Sequence, residues 1–66
     1  MKIVLNGDTR EVPGGGSLLD LLVYLGIDPS RVAAEMNHGI VRKDDWGTTE
    51  VPPDARIEVV QFVGGG

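Results

Sequence analysis

No cysteine occurs in the chain, and that absence excludes disulfide staples, thiolate nucleophiles, persulfide-carrying side chains and cysteine-based zinc or iron–sulfur sites. The fold must stand on packing alone. At roughly 0.05–0.15 kcal/mol per residue, so small a domain has about 3–10 kcal/mol of stability. Histidine is nearly absent too: His38 is the single one. With no local Ser–His–Asp or Tyr–Lys set, no base is held beside a hydroxyl to activate it, so an intrinsic catalytic site is not expected. Cations are also scarce. Six Lys and Arg against ten Asp and Glu give a net charge of −4 with His neutral. Without a basic block to release counterions from phosphates, nucleic acid is a poor partner. The longest unbroken apolar run, Leu21 to Leu25, is far below the ~18 residues of a membrane span. Nor is any apolar stretch after Lys2 long enough for a signal peptide. The reading is a soluble cytoplasmic protein with no membrane partner.

What is present is enough to fold. Leu, Ile, Val and Phe make up 20 of 66 residues, above the roughly 20% typical of disordered chains, and the length accommodates one small domain. Glycine is in excess, ten residues where about 7% is usual. Six of the ten stand in two runs, Gly14 to Gly16 and Gly64 to Gly66.

Met1, Ile3 and Leu5 alternate with Lys2, Val4 and Asn6, which is strand periodicity with Val4 as the one apolar residue on the outer face. Asn6-Gly7 supplies the left-handed backbone of a tight turn, and Thr9 to Val12 returns as a second strand. After Pro13 and the first glycine run, Ser17 with Asp20 three positions later forms a capping box. Leu18, Leu21, Leu22 and Leu25 then follow at helical spacing, and Gly26 is placed for a left-handed cap. A helix of about nine residues cannot stand alone, so it packs on the sheet. Val32 to Met36 reads as a strand that turns at Asn37-His38-Gly39 into a short Ile40-Val41 strand. Arg42 to Trp46 is a polar excursion whose tryptophan is expected to plug a secondary cluster. Pro52-Pro53-Asp54 is a turn. The last strand alternates over Arg56 to Val59, with Ile57 and Val59 inward, and then becomes apolar on both faces through Val60, Phe62 and Val63. These elements describe an α+β fold, a sheet with one helix on one face.

Most candidate constellations have a bland reading that outweighs the chemical one. His38 reads as an exposed turn residue. Gly14-Gly15-Gly16-Ser17 stands before a helix, where backbone amides can cradle an anion. It lacks the lysine and spacing of a phosphate loop, and a flexible connector is the better reading. Asp44-Asp45 lacks the spaced ligands of a calcium loop. The second glycine run differs, because it follows directly on an over-apolar strand. A frayed terminus is its ordinary reading, yet a carboxylate on glycines, with no Cβ beside it, can thread a narrow enzyme channel that side chains would block.

In the order of its motifs the chain resembles the sulfur carrier proteins of thiamine biosynthesis, the ThiS family, and through them the ubiquitin-like β-grasp proteins. The likeness covers Met-Lys-Ile-Val-Leu-Asn-Gly at the start, Ser17 to Leu22, Asn37 through Val41, Trp46, Ile57-Glu58-Val59-Val60 and the closing Gly65-Gly66. Arg42 stands where the family often has proline, and Pro53-Asp54-Ala55-Arg56 replaces its Asp-Gly-Asp turn. The resemblance implies a β-grasp domain over residues 1–63, four to five strands in a mixed sheet packed on one main helix, and a flexible tail over 64–66. It implies a protein co-substrate, not an enzyme, monomeric when free and binding no cofactor or metal. An ATP-using activating enzyme would adenylate the Gly66 carboxylate, with Gly64 and Gly65 threading its active site. A sulfur donor such as a cysteine desulfurase would leave a thiocarboxylate, and thiazole synthase would receive the sulfur. Val60, Phe62 and Val63 are the expected docking residues. Alternative readings share the same fold, among them sulfur carriers of other pathways such as the small subunit of molybdopterin synthase and carriers for cysteine or tRNA thiolation. So do ubiquitin-like protein modifiers and β-grasp interaction modules with an inert tail.

Overall fold

The computed structural model describes residues 1–62, and over these the expected alternation of strand, helix and strand is realised. Strands β1 (Lys2–Leu5) and β2 (Asp8–Glu11) form the opening hairpin. The helix α1 (Leu18–Tyr24) follows, then a 3-10 turn at Pro29–Arg31, β3 (Val32–Met36) and β4 (Gly39–Val41). A second 3-10 turn at Lys43–Asp45 precedes β5 (Arg56–Gln61). The five strands make one sheet in the order β2-β1-β5-β3-β4. The β1–β5 pair is parallel and the other three pairs are antiparallel, so the last strand in sequence is the central strand in space.

Both hairpin turns are made from residues that tolerate a left-handed backbone. Asn6 and Gly7 have φ of 48° and 86°, and Asn37 and His38 have φ of 52° and 71°, as the twist of a two-residue hairpin requires. Each turn asparagine also grips β5. Asn6 Oδ1 accepts from the Val59 N–H at 2.8 Å and Asn6 Nδ2 donates to the Val59 carbonyl at 3.3 Å. Asn37 Oδ1 accepts from the Arg56 N–H at 2.9 Å, while the Asn37 N–H donates to the Arg56 carbonyl at 2.7 Å. The turn chemistry thereby fixes the central strand at two points as well as reversing the chain.

The helix begins with the expected capping box, Ser17 Oγ accepting from the Asp20 N–H and Asp20 Oδ2 accepting from the Ser17 N–H, both at 3.1 Å. It is shorter than the apolar stripe suggests, ending at Tyr24, because Leu25 already serves as its C-cap. The first glycine run has more shape than a loose connector: Gly15 has a φ of 87°, and a Cβ on Gly16 would stand 3.2 Å from that of Asp20. A side chain at Gly16 would therefore crowd the residue that caps the helix.

The core lies between α1 and one face of the sheet. Ile3, Leu5, Ala34 and Ile57 come from the strands, Leu18, Leu21 and Leu22 from the helix, and Val12, Val51 and Ala55 from the connections. Trp46 belongs to this same core at 2% exposure, which corrects the expectation of a secondary cluster. The reason is backbone bonding that local sequence does not display. The segment after β4 folds over the start of α1, so the Leu19 N–H donates to the Trp46 carbonyl at 3.1 Å and the Leu18 N–H to the Thr49 carbonyl at 2.8 Å. These bonds satisfy helix-start donors that have no partner within the helix. They also place the indole under the sheet, where its Nε1–H donates to the Val41 carbonyl at 2.8 Å.

Candidate functional site

Alternation along β5 divides its side chains. Ile57 is fully buried and Val59 packs against the core, whereas Val60 is 63% and Phe62 59% exposed. This matches the inward and outward assignment made from the sequence. Val63 and the glycines Gly64, Gly65 and Gly66, singled out for docking and chemistry, lie outside the described residues.

Register brings further residues beside the exposed ones. Across β3, Val60 pairs with Ala33 and Glu58 with Glu35, and Glu35 pairs in turn with Ile40 of β4. The sheet face turned away from the helix thus joins exposed Ile40, Ala33, Val60 and Phe62 to two half-buried carboxylates in adjacent positions. Among the described residues neither Glu35 nor Glu58 enters an ion pair. Like charges directly opposite one another weaken a sheet, so the two carboxylates do not stabilise this strand pair. Glu35 and Ile40 escaped the sequence reading because strand register, which is a non-local property, is what sets them next to β5.

At the end of β5 the chain is held on two sides. The Phe62 N–H donates to the Arg31 carbonyl at 2.8 Å, and the Lys43 ammonium lies 5.7 Å from the centre of the Phe62 ring and 5.6 Å from that of Trp46. The neighbouring Asp28 caps the first 3-10 turn. Its carboxylate accepts from the Ser30 hydroxyl at 2.8 Å and the Ser30 N–H at 3.0 Å. These bonds, the hydroxyl first, hold its pKa below the usual carboxylate value.

Elsewhere the surface offers less. His38 is exposed in its turn, as expected, and Asp44 and Asp45 are exposed on the second 3-10 turn. No three His, Asp or Glu side chains among the described residues are grouped to hold a metal ion, and no helix among them is long and apolar enough to cross a membrane. An open groove of about 610 Å³, lined by Met1, Gly14, Met36, Val51 and Pro53 among others, lies where β1 and β5 begin, at the opposite end of the sheet from Phe62.

One helix on a mixed five-stranded sheet, with the first and last strands parallel and adjacent, defines the ubiquitin-like β-grasp class. The chain superposes on the crystal structure of a thiamine biosynthesis protein (ThiS) from Geobacter metallireducens with a TM-score of 0.86, at 26% identity, covering 100% of both chains. Residues 3–66 match the ThiS family. The chain belongs to that family. It is 42% identical over all 66 residues to a protein of Magnetococcus marinus named thiazole synthase, and 38% identical to one of the same name from Paramagnetospirillum magneticum. In both cases it spans 20% of the relative's length.

Proposed function

We propose that the chain is a sulfur carrier for thiazole formation in thiamine biosynthesis. The observation that carries this reading is the ThiS-family match, which runs from residue 3 through residue 66 and so includes the glycine tail. An α-carboxylate is ionised at neutral pH, its reference pKa being about 3.3–3.7, and is a poor electrophile. Attack of the Gly66 carboxylate on ATP within an activating enzyme gives an acyl adenylate and releases pyrophosphate. A persulfide sulfur supplied by a donor such as a cysteine desulfurase then displaces AMP. Cleavage of the resulting acyl disulfide by a second thiol leaves a thiocarboxylate on Gly66. With no cysteine in the chain, the sulfur rides on the backbone end. The carrier contributes no catalytic residue of its own and binds no cofactor.

Thiazole synthase is the proposed acceptor. The support is that a stretch similar to this whole chain makes up a fifth of two longer proteins bearing that name. The exposed sheet face with Val60 and Phe62 is the proposed docking surface, and the carboxylates of Glu35 and Glu58 on it suit a basic groove on the partner.

Intact-mass measurement of the protein from its native host tests the reading. The expected result is a fraction of molecules in which one oxygen is exchanged for sulfur, rising when thiamine is withheld. A mass that never changes under thiamine starvation, or recovery of the chain in isopeptide linkage to lysines, would overturn it. Within this scheme, Phe62→Ala should raise the KM for the activating enzyme about tenfold, as loss of an exposed aromatic anchor does. The melting temperature should move by no more than about 2 °C, because the ring is mostly in solvent. A larger thermal shift would assign Phe62 to the core.

A further inference from the structure

We propose that Lys43 is a positioning residue, acting as a cationic clamp that holds Phe62 in place for docking to the activating enzyme. The inference rests on the proposed carrier function for its purpose, and on side-chain geometry for its substance.

The chain has three aromatic residues, and two of them face this one ammonium. Lys43 Nζ lies 5.6 Å from the centre of the Trp46 ring and 5.7 Å from that of Phe62, within the ~6 Å reach of cation–π attraction. The first of these rings is a fixed platform. Trp46 is buried at 2% exposure, its indole N–H is bonded to the Val41 carbonyl, and its backbone N–H donates to the Lys43 carbonyl at 3.1 Å. That last bond is the i to i+3 bond of a 3-10 turn, which sets residues three apart on one side. Phe62 has no comparable support. The residue is 59% exposed, and among the described residues its N–H is tied to the Arg31 carbonyl.

The charges around the ammonium leave it free for this task. Asp44 and Asp45 share its turn, Arg42 precedes it, and Asp28 faces it from the turn before β3. Asp28 feels the Lys43 charge but is committed to Ser30, and its ion pair is with Arg31 at 3.4 Å. Lys43 is in no ion pair among the described residues.

Two measurements on the intact chain test the clamp. By ¹⁵N relaxation in the free protein, Lys43→Met should lower the order parameter of the Phe62 amide and shift its ring protons, with both restored in Lys43→Arg, which keeps the cation. In adenylation assays, Lys43→Met should raise KM about two- to fivefold at unchanged kcat, the scale of one exposed cation–π contact. The same substitution in a Phe62→Leu background should have no further effect, because the two residues act as one unit. Unchanged relaxation and ring shifts in Lys43→Met would overturn the proposal, as would additive KM effects, which would mean that Lys43 touches the enzyme directly. Failure of the wild-type chain to be adenylated at all would instead count against the carrier function, and the relaxation data would still decide the clamp.

Discussion

Deletion of Gly66 is expected to abolish adenylation while leaving the melting temperature within about 1 °C of the full chain, since a glycine has no side chain whose removal could open a cavity. The loss should be complete for a chemical reason. In the proposed mechanism the carboxylate is the nucleophile toward ATP, and its place in the enzyme is fixed by how far the tail reaches from the docked domain. Shortening the tail by one residue withdraws that carboxylate by up to about 3.6 Å, and misplacement by even ~1 Å can lower a rate about a hundredfold. Pyrophosphate release with the activating enzyme, measured beside thermal unfolding by circular dichroism, checks both halves. Persistent sulfur loading of the truncated chain would contradict the assignment of Gly66 as the sulfur-bearing residue.

Trp46→Ala should have the opposite profile, with its damage in the fold. Truncating a buried tryptophan costs about 3–5 kcal/mol, and the Val41 carbonyl loses its indole donor as well. Against a total stability of about 3–10 kcal/mol for a domain of this size, that is enough to unfold a large fraction of molecules. At roughly 4–8 °C per kcal/mol, the melting temperature should fall by more than about 12 °C. Trp46→Phe, which keeps much of the volume and loses the hydrogen bond, should be markedly milder. A drop of less than about 4 °C for Trp46→Ala would return the residue to the secondary cluster that its local sequence suggests. Trp46→Phe keeps an aromatic face for Lys43, so Phe62 should loosen less in that variant than in Lys43→Met.

Together the two variants separate the parts of the molecule that local sequence could and could not reveal. The opening hairpin, the Ser17–Asp20 capping box and the His38 turn are written in short-range chemistry: left-handed asparagine and glycine, a hydroxyl and a carboxylate three residues apart. They appear where the sequence places them. The exposure of Val60 and Phe62 was legible for a similar reason, because alternation from a buried Ile57 dictates it. Trp46 was misjudged because its burial depends on Leu18 and Leu19, which lie more than two dozen positions earlier in the chain. Helix-start amides need carbonyl partners, and nothing local says which segment provides them. Glu35, Ile40 and Lys43 were passed over on the same ground.

The missing cysteine by itself determined that the domain is unstapled and carries no thiol, and the length that it is small. The motif order carried the family resemblance that residues 3–66 bear out. Only the tertiary structure decided that β5 is the central strand, that two turn asparagines grip it, and that an ammonium between two rings stands at its exit. Those arrangements join residues far apart in sequence, and the physical preferences of a short segment cannot encode them.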